Sequence, residues 1–230
     1  MSRSTRKWPL IAEKNPNSPI SEAYKVMRTN IDFSNVDDTV QTVMITSSKM
    51  REGKSTTTAN LAVAYAQSGK KVLIMDADLR NPTQHRIFQC SNLYGLSTLL
   101  SKQNTLDDVI QTTDVQSLDI IPAGPVPPNP SEMLSSKSMS ELLEQLKEHY
   151  DVVLIDTPPV MPVSDAQIIA AQSDGVILVI DTGKVRKEMA LKAKKSLEHV
   201  NARILGAVLN NVNRKRSESY YYYSYGVTAK

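Results

Sequence analysis

Short apolar runs alternate with longer stretches of helical spacing along most of the chain. The runs are Thr42–Thr46, Val72–Met75, Leu118–Ile121, Val152–Ile155, Val176–Ile180 and Ile204–Leu209. They lack the in–out alternation of a half-exposed strand, so both faces of each are expected to be covered. Helices are predicted between them, over residues 54–68, 163–173 and 186–199. Gly69 closes the first of these. Another opens with Asn129 as N-cap and Pro130 at the first helical position, and runs to about His149. Residues 20–34 read as a further helix, with Ser21 as N-cap and Tyr24, Met27 and Ile31 on one face. This alternation predicts one α/β domain: a mostly parallel central sheet with helices on both faces.

The two ends break the pattern. Residues 1–19 contain Pro9, Pro16 and Pro19 among several Asn and Ser, and read as a flexible N-terminal arm. At the other end Arg214, Lys215 and Arg216 precede Tyr220, Tyr221, Tyr222, Tyr223 and Tyr225, with serines and Gly226 interleaved. No apolar partners accompany these rings. Such a segment cannot bury enough surface to offset its ordering entropy, so residues 213–230 read as a flexible tyrosine-rich tail. The expected organisation is an arm (1–19), a folded domain (20–212) and a tail (213–230).

Composition adds limits. The chain has 230 residues, 40% hydrophobic and 22% charged, with a formal charge of +3, which suits a globular domain. No apolar run approaches the ~18 residues of a membrane span, and no apolar signal core follows the basic N-terminus. Any membrane association is therefore expected to be peripheral or borrowed. The cationic ends are either solvated arms or contacts for an anionic membrane face or a partner. Nothing points to nucleic acid. Cys90 is the single cysteine, which rules out an intrachain disulfide and a CxxC metal pair and fits a reducing cytoplasm.

The chemistry concentrates at strand ends. Ser48-Lys49-Met50-Arg51-Glu52-Gly53-Lys54-Ser55 is a phosphate loop of the GxxxxGK[ST] type, with Ser48 in place of the first glycine. It lies between a strand and a helix, the context the motif needs. Backbone N–H groups of the loop and the helix N-terminus attract phosphate oxygens. Ser48, Lys49, Glu52, Gly53, Lys54, Ser55 and Thr56 are therefore candidate nucleotide-binding residues. Lys54 would reach the β/γ-phosphates and Ser55 a Mg²⁺ ion. Asp76 and Asp78 close the second strand, and Asp156 closes an apolar strand as a Walker-B-like carboxylate. Lys54, Asp76, Asp78 and Asp156 are the candidate catalytic set, and Ser55, Asp76, Asp78 and Asp156 the candidate metal set. ATP and Mg²⁺ are the expected cofactors of this P-loop NTPase domain.

These motifs resemble those of the bacterial tyrosine kinases, or BY-kinases, of capsule and exopolysaccharide production. The Gly53–Thr56 segment, Asp76-Ala77-Asp78-Leu79-Arg80 and Asp156-Thr157-Pro158-Pro159 carry the resemblance. Ser21–Asn30, Gly124–Glu132, Ser164–Gln167 and the tyrosine tail extend it over roughly residues 18–230. It is greatest to the stand-alone kinases of Gram-positive bacteria, whose membrane-spanning adaptor is a separate polypeptide. The resemblance implies a MinD/ParA-like fold and a cytoplasmic protein-tyrosine kinase recruited to the membrane by its adaptor. It implies that subunits assemble into a ring, an octamer in the family, and phosphorylate one another's tails. It also implies a cognate phosphatase and further protein substrates. The resemblance implies that Asp76, Asp78 and Asp156 organise Mg²⁺ and that Asp76 or Asp78 takes the phenol's proton. Asn210 matches a position that reads adenine in relatives of this fold, or is an ordinary strand-end residue.

The chain also departs from the family. Met50-Arg51 stands where the family usually has Pro-Gly, which stiffens or crowds the loop. The self-association motif ExxRxxR reads Glu22-xx-Lys25-xx-Arg28, and Lys is a poorer bidentate partner than Arg. These three are either the oligomerisation residues or ordinary i,i+3 helix charges. Lys49 sits where MinD/ParA ATPases carry a signature lysine, or is a solvated loop lysine. A switch ATPase without kinase activity is thus the competing function. It would call for an amphipathic C-terminal membrane helix or a DNA-binding patch, and the tail offers tyrosines instead. A scaffold for iron–sulfur clusters needs paired cysteines. Arg80 either holds a phosphate or pairs with an acidic neighbour.

Overall fold

The computed structural model describes residues 10–34 and 40–212. The tail tyrosines lie outside the described residues. Seven strands form one sheet, in the order β3-β4-β2-β5-β1-β6-β7. They are β1 (Thr42–Ser47), β2 (Val72–Asp76), β3 (Gln111–Thr112), β4 (Leu118–Ile121), β5 (Val152–Asp156), β6 (Gly175–Asp181) and β7 (Ile204–Asn210). All neighbours pair in parallel except β3 with β4. Every residue of β1, β2 and β5 is buried, as unbroken apolar runs require when both faces are covered.

Successive side chains point to opposite faces and so feed two cores. Val43 and Ile45 pack with Leu61, Tyr65 and Ile74 on the face covered by α1 (Ile11–Lys14), α2 (Pro19–Asp32) and α3 (Lys54–Ala66). Met44 joins Leu73, Met75, Leu142, Leu146, Val153 and Ile155 on the other face. The first core stacks α3 between the sheet and α1 and α2, and every residue of α3 except Thr56 is buried. The second is closed by α8 (Lys137–His149), α9 (Asp165–Ala170) and α10 (Lys187–Glu198). The edge strand β7 has no fully buried residue, and Leu209 is 60% exposed.

Several local expectations are corrected. Residues 10–18, read as part of an arm, are structured. Ala12 is 1% exposed, its N–H donates to Asn60 Oδ1 (3.0 Å), and its carbonyl accepts from Gln67 Nε2 (3.0 Å). Two apolar positions, Leu10 and Ala12, suffice to seat this turn on α3. The N-cap of α2 is Ser18, not Ser21. Ser18 Oγ accepts from Ser21 N (3.1 Å), and Pro19 occupies the first helical position. Ser21 Oγ instead donates to Asn15 O (2.6 Å). The helix expected over 130–149 is two helices, α7 (Pro130–Leu134) and α8. Ser136 Oγ caps α8 through Met139 N (3.3 Å) and forces the restart. Three short helices were not foreseen: α4 (Gln84–Ile87), α5 (Leu96–Leu100) and α6 (Leu106–Val109).

Candidate active site

The phosphate loop leaves the C-terminal end of β1, next to β5 and one strand from β2, so Lys54, Asp76, Asp78 and Asp156 converge. Register pairs Asp76 directly with Asp156. Lys54 Nζ donates to Asp78 Oδ2 (2.8 Å), Asp156 Oδ1 (3.3 Å) and Ser55 Oγ (3.2 Å). Burial pulls the lysine's pKa down, but Asp156 and Asp78 outweigh it and the ammonium is held well above its ordinary range.

The three carboxylates differ in what occupies their oxygens. Asp76 is fully buried and accepts backbone N–H bonds from Asp78 (3.2 Å), Thr83 (2.9 Å) and Gln84 (2.9 Å). Burial and the nearby Asp156 push its pKa up to about 7. Asp156 gives Oδ1 to Lys54 and Oδ2 to Gln84 Nε2 (2.8 Å), and burial raises its pKa. Asp78 accepts from Lys54 and from Asn81 N (3.0 Å). It is the one carboxylate of the three that lines the adjoining cavity of about 290 Å³.

The lining of that cavity is mixed. Lys54, Ser55, Thr56, Asp78, Arg80 and Arg51 contribute polar or charged groups. Pro158, Pro159, Pro162, Val163 and Met50 contribute apolar surface. The proline loop is pinned to β1, because Thr157 Oγ1 donates to Ile45 O (3.0 Å) and Thr46 Oγ1 to Pro158 O (2.9 Å). Arg80 pairs with Asp165 through Nε (2.7 Å) and Nη2 (3.0 Å), and also reaches Ser131 Oγ (3.1 Å). Of its two candidate roles, pairing with an acidic neighbour is therefore present, and Arg80 also lines the cavity.

The remaining loop residues brace rather than line. Glu52 is 2% exposed; Oε1 accepts from Ser48 Oγ (2.6 Å) and Lys49 N (2.5 Å), and Oε2 from Asp181 N (3.0 Å). Asn210 Nδ2 donates to Glu52 O (2.9 Å), and its Oδ1 accepts from Asn211 N (2.9 Å). Ser48, Lys49, Glu52 and Asn210 do not line the cavity beside Lys54. Gly53 is left-handed (φ 99°), and a β-carbon there would lie 2.2 Å from Asn210 Nδ2. Arg51 is also left-handed (φ 65°), at the position where the family usually has glycine. The α2 trio makes contacts within its own chain: Glu22 with Lys25 (3.2 Å), and Arg28 Nη1 with Ala64 O (2.8 Å).

Three contributors had no role assigned from the sequence: Gln84, Asp165, within the family-like stretch Ser164–Gln167, and Asp181. Gln84 lies eight residues past Asp76 in no motif, and only the fold brings it to Asp156. A serine hydroxyl, carboxylates and a buried lysine at a helix N-terminus suit Mg²⁺ and nucleotide phosphates.

Comparison with known proteins agrees with this geometry. The chain matches the AAA domain family over residues 40–205. It is 47% identical to the tyrosine-protein kinase YwqD of Bacillus subtilis over 214 residues, 93% of this chain and 90% of that protein. Its fold is similar to the crystal structure of the chimerical protein CapA2B2 (TM-score 0.87, 43% identity, 93% of this chain and 92% of that one). It is also similar to the kinase domain of the Escherichia coli tyrosine kinase ETK (TM-score 0.87, 36% identity, 94% of this chain and 84% of that one). A more distant likeness is to MinD of Pyrococcus horikoshii complexed with Mg-ADP (TM-score 0.66, 28% identity, 76% of this chain and 72% of that one). From the phosphate loop, the converging carboxylates and these similarities, the chain belongs to the bacterial tyrosine-protein kinase family.

Proposed function

We propose that this protein transfers the γ-phosphoryl group of ATP to tyrosine, and that its own C-terminal cluster, Tyr220–Tyr223 and Tyr225, is a substrate presented by a neighbouring subunit. The observation that carries this reading is the cavity beside Lys54. Its lining combines charged groups, Lys54, Asp78 and Arg80, with Pro158, Pro159, Pro162 and Val163, which suits a phenol whose ring needs apolar contact and whose hydroxyl must meet a phosphoryl group.

ATP supplies the phosphoryl group, and magnesium neutralises charge on its phosphates. Lys54, now shared by Asp78 and Asp156, is placed to turn to phosphate oxygens. The phenol oxygen forms the new bond to phosphorus as the bond to ADP breaks, and the phenol proton passes to Asp78 or solvent. Asp78 suits that role better than Asp76, whose two oxygens are held by three backbone N–H groups. A phenol has a pKa near 10, so positioning and charge neutralisation matter more than a strong base.

In the cell the reading extends to control of capsular or exopolysaccharide synthesis through a membrane adaptor, a ring of subunits contacting through α2, and reversal by a phosphatase. Among the described residues no helix is long and apolar enough to cross a membrane, so recruitment would run through the adaptor. Each phosphate adds about −1.5 to −2 charge, which loosens a tail docked near carboxylates. The test is mass spectrometry of the chain after incubation with ATP, Mg²⁺ and the adaptor's cytoplasmic segment. Several phosphates on residues 220–225, absent in Lys54→Met, are expected. ATP hydrolysis with an unmodified tail would make the protein a switch ATPase.

A further inference from the structure

We propose that Gln84 is a positioning residue of this site: its side-chain amide fixes Asp156 in the orientation from which that carboxylate organises magnesium. The inference rests on the reading of Asp156 as a magnesium carboxylate.

Gln84 opens α4 and is fully buried. It meets the site at three points. Its backbone N–H donates to Asp76 Oδ2 (2.9 Å), and its Nε2 donates to Asp156 Oδ2 (2.8 Å) and to Ser55 O (3.1 Å). One side chain thus ties the end of β5 to the first turn of α3, where Ser55 sits. With Oδ2 held, Asp156 keeps Oδ1 turned towards Lys54, whose Nζ also reaches Ser55 Oγ. Partners of this kind set the orientation of a metal's ligands and tune its affinity.

The second observation is Gln84 Oε1, which is buried and has no hydrogen-bond partner among the described residues. A buried acceptor of this kind is costly until a donor meets it. Magnesium keeps several of its waters when bound by one or two carboxylates, and each is a hydrogen-bond donor. Gln84 would orient the carboxylate with its N–H₂, and a water of a cation held by Asp156 would be a candidate donor for its oxygen. An apolar residue of the same length would do neither.

The test is a Mg²⁺ titration of ADP-analogue fluorescence and of ATP turnover in wild type, Gln84→Met and Gln84→Asn. Methionine keeps the length and removes the amide; asparagine withdraws it by one methylene. Both leave the backbone bond to Asp76 intact. The half-saturating Mg²⁺ should rise about tenfold or more in both. Nucleotide affinity measured in EDTA should change by less than about twofold, which a general loosening of the fold would not produce. A folded variant whose Mg²⁺ midpoint equals that of wild type overturns the proposal. Should neither variant fold, the side-chain amide resonance of Gln84 in wild type decides: it should shift when Mg²⁺ is added to the ADP complex, and an unmoved resonance overturns the proposal. Asp156→Asn separates the two readings. If it leaves the Mg²⁺ midpoint unchanged, the magnesium role of Asp156 fails; if it shifts the midpoint and the Gln84 variants do not, only this inference fails.

Discussion

Replacing Lys54 by methionine should unfold the protein more easily, and more so as pH rises. Lys54 is the single cation in direct contact with Asp78 and Asp156 among the described residues, and Asp76 lies close behind. At an effective dielectric of about 20, Coulomb's law gives roughly 6 kcal/mol for a pair at 2.8 Å and roughly 5 kcal/mol for one at 3.3 Å. Desolvation of the ions offsets most of that attraction. Removing one partner of such a buried set costs about 3–5 kcal/mol, because the carboxylates are left uncompensated. They can escape by taking up protons. Lys54 holds the Asp76 and Asp156 pKa values down, so its removal raises both further above their unfolded values. Below the folded pKa the native state then binds more protons than the unfolded chain, so the variant loses stability as pH rises. Urea denaturation in EDTA without nucleotide, at about pH 5 and about pH 8, measures the deficit. It should be several kcal/mol at the higher pH and at least halved at the lower. Adding Asp156→Asn should recover part of it. A deficit equal at both pH values, or larger in acid, would refute the electrostatic account.

Other consequences follow from single contacts. Gly53→Ala places a β-carbon on Asn210 Nδ2 at a left-handed position, so nucleotide binding should fall at least tenfold and stability by about 1–2 kcal/mol, read by titration and thermal melting. Arg51→Gly relieves the phosphate loop's other left-handed residue and should change stability by less than about 1 kcal/mol in the stabilising direction, after the unfolded-state entropy of glycine is subtracted. Burial raises the Asp165 pKa, but the Arg80 guanidinium outweighs it and holds the carboxyl below its ordinary range. The stability this pair provides is present above the unfolded pKa and lost as pH falls through the folded one. Arg80→Gln should therefore cost about 1–2 kcal/mol near neutrality and converge on wild type in acid.

Six of the seven strands were legible as short apolar runs; β3 is a polar pair with no such signal, and the edge strand β7, expected to be covered on both faces, has no fully buried residue because only β6 pairs with it. The phosphate loop and the Asp-terminated strands were legible because each is contiguous. Strand order was not, nor was Gln84, because the residues that meet at Asp156 are 72 positions apart in sequence. The split of α7 from α8 was hidden by good helix formers on both sides of Ser135 and Ser136. Pro19 at the first turn of α2 was the available signal for Ser18 as its cap. Glu52 reads as part of a ligand loop, yet its carboxylate is consumed by Ser48, Lys49 and Asp181. The loop's sequence shows which backbone cradles phosphate, not which side chains hold that backbone in place. The α2 trio was open to two readings, an interface or helix surface charges; within one chain Glu22 pairs with Lys25 and Arg28 donates to Ala64 O, contacts that leave both open.

The central claim is transfer of phosphate to tyrosine between subunits. Its most direct measurement mixes a chain truncated before residue 213 with full-length Lys54→Met, in ATP, Mg²⁺ and the adaptor segment, and maps phosphate on the Lys54→Met chain. The account predicts phosphotyrosine within residues 220–225 of that chain, dependent on the truncated partner and lost when the partner also carries Asp78→Asn. An unmodified tail, beside a truncated chain that hydrolyses ATP, would contradict it.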